Sequence, residues 1–306
     1  MIAFDEAVAR TARELPAWHA EYVAYRARLR YWIDLGALSD PSGQVVWDMG
    51  CGAVAFSLAF LAEGAKAVLG SDTVVDRSRI PAALFETEGL RIVQGDTAAL
   101  AASAWTDTEG PTLLFMHLVS EHVADLPALL RSVRSNCRSG TRLFVHHDNY
   151  YQPVGHHDHG FLSHRPASNS IESNATRCWE SVARCEASAA HREILRRDRG
   201  FQWGEASEAT RDPANCDACN YRIRAEPWAH LTAADRFTRV FPEPFFTAAL
   251  NKITPFQLRQ HLIEAGFDIR SDLRDLLTNR VPAALEGKFT DADLRTMTVT
   301  LVAESR

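Results

Sequence analysis

The 306-residue sequence has no run of 18 consecutive apolar residues, so no part of it reads as a membrane-spanning helix. Its opening, Met1-Ile2-Ala3-Phe4-Asp5-Glu6, has neither a basic segment nor an unbroken apolar stretch, so no secretory signal is read there. Cysteine is sparse: six residues scattered along the chain speak against a disulfide framework and suit a reducing cytoplasm. Positive charge is not in surplus. With 33 Lys and Arg against 39 Asp and Glu, the net charge of −6 leaves no basic face to draw a nucleic acid. Internal repeats, low-complexity tracts and a full Gly-x-Gly-x-x-Gly fingerprint are also missing. What remains is 46% hydrophobic and 24% charged, an ordinary globular chain of one or two domains. A small molecule is the expected partner. The oligomeric state is left open, a homodimer among the options.

Near the N-terminus, apolar residues recur at Phe4, Val8, Leu15, Trp18, Tyr22, Tyr25, Leu29 and Trp32, the period of one helix face. Pro16 splits this stretch into two helices, because proline fits a first helical turn but not an interior. Residues 1–40 therefore read as a helical cover, either packed on the core or closing over a ligand with Tyr22, Tyr25, Arg26 and Tyr31.

An α/β rhythm follows. Strands are expected at Gln44–Met49, Ala67–Asp72, Arg91–Gln94, Thr112–His117 and Arg142–His147, with helices at Ala55–Glu63, Arg77–Glu86 and Asp125–Asn136 between them. Such alternation implies parallel pairing through right-handed crossovers. The rhythm lapses over residues 150–253, rich in His, Asn, Ser, Cys and Arg. It resumes with Thr254-Pro255, a threonine cap and first-turn proline opening a helix that runs to Ala265 before Gly266. Strands at Phe267–Arg270 and Met297–Glu304 close the pattern. The expected fold is a doubly wound, mostly parallel seven-stranded sheet made from residues 41–149 and 254–306, with a large insertion, or lid, between strands five and six.

The sharpest signal is Val45-Val46-Trp47-Asp48-Met49-Gly50-Cys51-Gly52-Ala53-Val54, a strand running through a glycine-rich turn into a helix. In a doubly wound sheet this turn lies at the carboxyl edge, where ligands bind. Glycine lets the backbone turn and approach a ligand, and the helix start that follows favours a carboxylate. Gly70-Ser71-Asp72 puts an acid at the end of the second strand, able to accept from both hydroxyls of a ribose. Gly95-Asp96 puts another after the third, able to take an adenine amine.

This ordered set resembles the class I S-adenosylmethionine (SAM)-dependent methyltransferases. The likeness extends to Leu118-Val119-Ser120-Glu121-His122-Val123 after strand four, to Arg138-Ser139-Gly140-Thr141 before strand five, and to the helix ending at Gly266-Phe267. By that resemblance SAM is the cofactor. Asp48, Gly50 and Gly52 would hold its amino-acid end, Asp72 the ribose and Asp96 the adenine, with Cys51, Thr73, Thr97, His117 and Leu118 beside them. One position departs from the pattern: Val54 stands where a third glycine is common, and a side chain there would narrow the space by the ligand.

Methyl transfer needs an aligned acceptor and often a base. His117, His147, Asp148 and Asn149, at the ends of strands four and five, are the candidates, histidine because it titrates near neutrality. Tyr150, Tyr151, His156 and His157 would contact the substrate from the lid. The dense run from His146 to His164 and the pair Cys216 and Cys219, with Cys178 and Cys185 upstream, raise a metal question. A polar loop with free thiols is the preferred reading, and no metal is expected. Aromatics of the insertion, among them Trp179, Trp203 and Trp228, read mainly as its own core. The function expected is O- or N-methylation of a small molecule. The alternatives are another reaction of SAM, such as intramolecular closure releasing methylthioadenosine, and a non-catalytic scaffold with the same fold.

Overall fold

A computed structural model describes residues 1–78, 80–95, 97, 99–100, 110–123, 125–149, 253–276, 292 and 295–306. The expected insertion therefore lies outside the described residues, and with it Tyr150, Tyr151, His156, His157 and four of the six cysteines, as does Asp96.

The two helices of the N-terminal cover are α1, Phe4–Glu14, and α2, Pro16–Asp34, with Pro16 in the first turn as expected. The sheet then builds from β1 (Val45–Met49), β2 (Ala67–Asp72), β3 (Leu90–Gln94), β4 (Leu113–His117), β5 (Arg142–Asp148), β6 (Phe267–Leu276) and β7 (Thr296–Ser305). Helices α3 (Ala55–Ala62), α4 (Leu126–Ser135) and α5 (Pro255–Glu264) lie among them. The strand order is β3-β2-β1-β4-β5-β7-β6. The first five strands pair in parallel, while β7 runs antiparallel to both β5 and β6.

Alternation along the strands sorts the core onto two faces. On one face Val46, Phe115 and Phe144 pack under α2 and α3 with Trp32, Leu29 and Leu58. On the other, Trp47, Met49, Leu114, Met116, Leu143 and Val145 meet Leu129 and Val133 of α4 and Leu258 and Leu262 of α5. Helix α3 (Ala-Phe-Ser-Leu-Ala-Phe-Leu-Ala) carries no charge, and Ala55 to Phe60 are all buried. A helix apolar all round needs cover on two sides; here the sheet supplies one and α2 the other. Trp18 Nε1 donates to the Ala53 carbonyl at 2.8 Å, and Arg26 and Arg30 both reach Glu63 Oε1, at 2.6 and 2.9 Å.

Two elements differ from expectation. The helix expected over Arg77–Glu86 is only a 3-10 segment, Ala82–Glu86. Pro81 lies inside the expected span and pushes the residue before it out of the helical region, and Asp76 Oδ1 accepts from Ser78 N, a local turn upstream. Strand β6 runs six residues past Arg270, following β7 through two register shifts. Its extension, Ser271-Asp272-Leu273-Arg274-Asp275-Leu276, is a charged edge strand, a type that hydrophobic patterning does not reveal.

The start of α5 is fixed by a reciprocal cap: Gln257 N donates to Thr254 Oγ1 at 3.2 Å, and Thr254 N to Gln257 Oε1 at 2.9 Å. Thr254→Ala is expected to lower unfolding stability by ~1 kcal/mol, read from paired urea transitions; an unchanged midpoint would show that the cap adds nothing.

Candidate functional site

The carboxyl edge of the sheet is shaped by the turn after β1. Gly50 and Gly52 adopt φ of 73° and 51°. That conformation lets the N–H groups of Gly50 and Cys51 both donate to the Ser71 carbonyl, at 2.7 and 2.9 Å. Gly52 N then donates to Asp72 Oδ2 at 2.9 Å, and Val74 N to Asp72 Oδ1 at 3.2 Å. The carboxylate of Asp72 is thus held rigidly beside the turn and remains half-buried, with lone pairs to spare.

Glycine is required here for two different reasons. A Cβ on Gly50 would stand 2.3 Å from Val119 Cγ2, in the loop after β4, so the turn and that loop interlock. A Cβ on Gly52 would meet nothing within 4 Å among the described residues, so the turn is open on that side with respect to them. Gly70 of β2 serves the same corner, since its Cβ would stand 2.9 Å from Ser57 Oγ and 3.2 Å from Cys51 Sγ.

Other expected cofactor contacts take different places. Asp48 is buried with α3 above it, and Ser57 Oγ donates to its Oδ2 at 2.5 Å. Burial, with a lesser push from the Asp72 charge, raises its pKa to about 7. Asp48 therefore pins α3 to β1 and offers no open face to a ligand. Cys51 is likewise buried, and burial drives its thiol pKa well up, with the charges of Asp48 and Asp72 adding to the shift. Thr73 is exposed, its hydroxyl 3.4 Å from Asp72 Oδ1, while Thr97 is half-buried beyond β3. Leu118 takes φ of 54° and donates its N–H to the His146 carbonyl at 2.9 Å. Val54 takes φ of 71°, the conformation that explains glycine at this position, yet its side chain is wholly buried in the core beneath α2. Its side chain lies on the core side of the turn, away from the exposed Gly52.

The two consecutive histidines of β5 point to opposite faces. His147 is fully buried toward α5: Nε2 lies 3.0 Å from the Ile253 carbonyl, and Nδ1 lies 2.9 Å from Ser120 Oγ and 3.6 Å from Glu121 Oε2. A carbonyl only accepts, so Nε2 carries a proton and is not a free base. Asn149 is also fully buried, its side-chain amide donating to the Thr296 carbonyl at 2.8 Å and its backbone N–H to Met297 at 3.0 Å. Both residues hold strand ends together through these bonds. Asp148 is half-buried at the end of β5.

His117 lies on the other face, in register with His146 of β5. The two rings stack 5.2 Å apart at 5°. Phe56 lies 4.7 Å from His117, Trp32 5.5 Å and Tyr25 6.0 Å. Burial lowers the pKa of His117 to about 3, helped by His146 and Arg28 and opposed by Glu121. Burial and Arg28 lower that of His146 to about 4, against Asp148, Glu121 and Asp275. Both rings are therefore neutral near pH 7. Of the expected lid residues on α2, only Tyr25 reaches this group. Tyr22 is buried on Trp18, Arg26 is ion-paired to Glu63, and Tyr31 is 61% exposed.

A sheet with β7 reversed between β5 and β6, and a glycine turn beside an acid at its carboxyl edge, decide the architecture. The chain has the class I SAM-dependent methyltransferase fold. No family model and no curated protein matches it. Among solved structures, an S-adenosylmethionine dependent methyltransferase from Mesorhizobium loti is 15% identical at a TM-score of 0.44, over 88% of this chain and 94% of that one. A SAM dependent methyltransferase from Archaeoglobus fulgidus is 12% identical at 0.45, over 93% and 94%. Magnesium protoporphyrin IX methyltransferase from Synechocystis, with SAH bound, is 12% identical at 0.41, over 94% and 84%. The fold rests on the strand order and not on these distant likenesses. Trp32, Phe56 and Arg28 are residues of this edge that the sequence did not single out as site residues, and His146 entered only as part of the histidine run. Period-two counting from Phe115 and Phe144 would have put His117 and His146 on one face.

Gly50→Ala is expected to cost more than ~2 kcal/mol, because a backbone-fixed Cβ meets Val119 in a conformation that side chains avoid. Gly52→Ala, with open space, should cost only the ~1 kcal/mol of the conformation. Equal losses in denaturant titrations would contradict the interlock. The titrating groups give a second test. Asp48 has a raised folded pKa, so its contribution is present below pH ~4 and is lost as pH rises toward 7. His117 and His146 have depressed folded pKa values, so theirs is present above pH ~6.5 and lost as pH falls toward 4. Asp48→Asn should therefore gain stability relative to the parent chain between pH 5 and pH 7. A pH-independent difference between their urea midpoints would reject the assignment.

Proposed function

We propose that the chain is a SAM-dependent methyltransferase acting on a small-molecule acceptor. The observation that carries this reading is the turn at Gly50–Gly52: open space at Gly52, with the fixed, half-buried Asp72 carboxylate beside it. The residues present fit the cofactor. Asp72 has accepting capacity left for ribose hydroxyls, the turn allows close backbone approach, and α3 opens next to it with the N-terminal polarity that suits a carboxylate. Asp96, after β3, is the proposed adenine acceptor. SAM, when bound, supplies a methyl group activated on a sulfonium.

This chain's own residues then orient the acceptor and handle its proton. His117 is proposed to accept a hydrogen bond from the acceptor, since burial keeps its imidazole neutral at the edge of β4. Asp148, half-buried on the same face of β5, is proposed to orient the acceptor. The lower end of α2 keeps water from the rings beneath it through Trp32 and Tyr25. Of the two features that suggested intramolecular closure of SAM, Val54 is turned into the core, and the aromatic residues of the insertion lie outside the described residues.

Titration calorimetry with SAM and with S-adenosylhomocysteine should give micromolar dissociation constants. Asp72→Asn should weaken both about tenfold or more, since an amide that keeps its place replaces one carboxylate acceptor by a donor. No heat with either ligand, from protein whose far-ultraviolet circular dichroism shows the mixed α/β fold, would overturn the proposal.

A further inference from the structure

His117 Nε2 is buried and has no hydrogen-bond partner among the described residues. Buried polar atoms are almost always satisfied, and the neighbouring ring shows the ordinary arrangement: His146 Nδ1 lies 2.8 Å from Thr300 Oγ1. His117 and Tyr25 are each half-buried as residues, so this corner of the sheet edge reaches toward the surface although Nε2 itself is covered. The surroundings restrict what can approach. Phe56, Trp32 and Tyr25 present ring faces and edges at 4.7 to 6.0 Å from the imidazole. Above them the exposed Arg28 sets its guanidinium carbon 5.3 Å from the Trp32 ring centroid.

We propose that this edge of β4 and β5 beneath α2 is the acceptor subsite, and that it takes an aromatic hydroxy acid whose hydroxyl donates to His117 Nε2 and whose carboxylate meets Arg28. The assignment rests on the methyltransferase reading only for the position of the methyl donor. A planar ring suits it because offset and edge contacts with Trp32, Phe56 and the stacked imidazoles are available at aromatic spacings. A carboxylate suits it because an arginine side chain grips that group by two parallel hydrogen bonds. A cationic amine is disfavoured by the same guanidinium. A neutral imidazole is a fitting partner for a hydroxyl: Nε2 accepts its hydrogen bond and leaves an oxygen lone pair free to face the methyl donor, and as the C–O bond forms and the C–S bond breaks the proton leaves to water, because the buried ring does not hold it.

The test uses the full chain labelled with 15N, long-range proton–nitrogen spectra of the histidine rings, and three probes: 4-hydroxybenzoate, phenol and benzoate. His117→Gln and His146→Gln assign the two rings. Expected is a shift of the His117 ring nitrogens by 4-hydroxybenzoate, with binding about tenfold tighter than phenol or benzoate. Arg28→Gln should abolish the preference over phenol while leaving S-adenosylhomocysteine binding unchanged. The subsite is overturned when S-adenosylhomocysteine binds but no probe moves either ring at millimolar concentration, or when Arg28→Gln leaves the preference intact. If the probes bind as stated and S-adenosylhomocysteine does not, the methyltransferase reading falls and the subsite stands.

Discussion

The carbonyl of Ser71 accepts the N–H groups of both Gly50 and Cys51, and much of the carboxyl edge is arranged around that shared acceptor. Two successive donors can converge on one oxygen only if the chain turns back on itself immediately after β1, which puts Gly50 at φ 73°. The same reversal points Gly52 N at Asp72, so one turn both ends the β1–β2 pairing and fixes the acid. It also brings Gly50 against Val119, with no room for a Cβ between them. The loop after β4 is therefore located by the turn after β1, and Ser120 and Glu121, which follow Val119, are in turn joined to His147 of β5. A chain of short contacts thus runs across three neighbouring strand ends.

That arrangement leaves a strained residue in place. Val54 is β-branched and adopts φ 71°, where side chains crowd the backbone, a conformation costing on the order of 1–3 kcal/mol. It persists because the surroundings over-determine it: Val54 N donates to the Cys51 carbonyl at 2.8 Å, its own carbonyl accepts the first helical bond of α3 from Leu58 at 3.0 Å, and its side chain is packed in the core. Burial of a valine side chain contributes roughly 1.5–3 kcal/mol, enough to offset the backbone cost. A glycine at this position would relieve the strain and leave a hole, so the departure from the glycine pattern is a trade of conformation against packing.

Most of the fold was legible because its signals are local. The apolar runs of β1, β2 and β4, the prolines at the starts of α2 and α5, and the Thr254–Gln257 cap each specify an element without reference to the rest of the chain. What was not legible depends on pairing. The outer half of β6 is a strand only because β7 lies beside it, and its charges hide it from hydrophobic patterning. The cofactor side was readable through Gly50, Gly52 and Asp72, where spacing and residue type coincide. What Asp48 touches was not readable, because its motif position says nothing about Ser57 standing above it. The catalytic side was less readable, since adjacent histidines look alike in sequence and differ entirely in what they face.

The separation of His146 from His147 has a further consequence. On the α5 face, His147 meets Ser120, Glu121 and a backbone carbonyl, groups that fix its orientation and occupy both nitrogens. On the α2 face, His117 and His146 meet mainly rings; Thr300 Oγ1 engages Nδ1 of His146, whereas Nε2 of His117 has no partner among the described residues. Aromatic enclosure and polar enclosure thus produce opposite kinds of histidine from neighbouring residues of one strand. The first leaves a lone pair in a low-dielectric setting, where a charged form is disfavoured and a neutral base persists at physiological pH. The second converts a titratable side chain into a structural link. A sheet edge that needs both a fixed frame and a reactive group can obtain them from adjacent positions, because the pleat alone assigns each to its own environment.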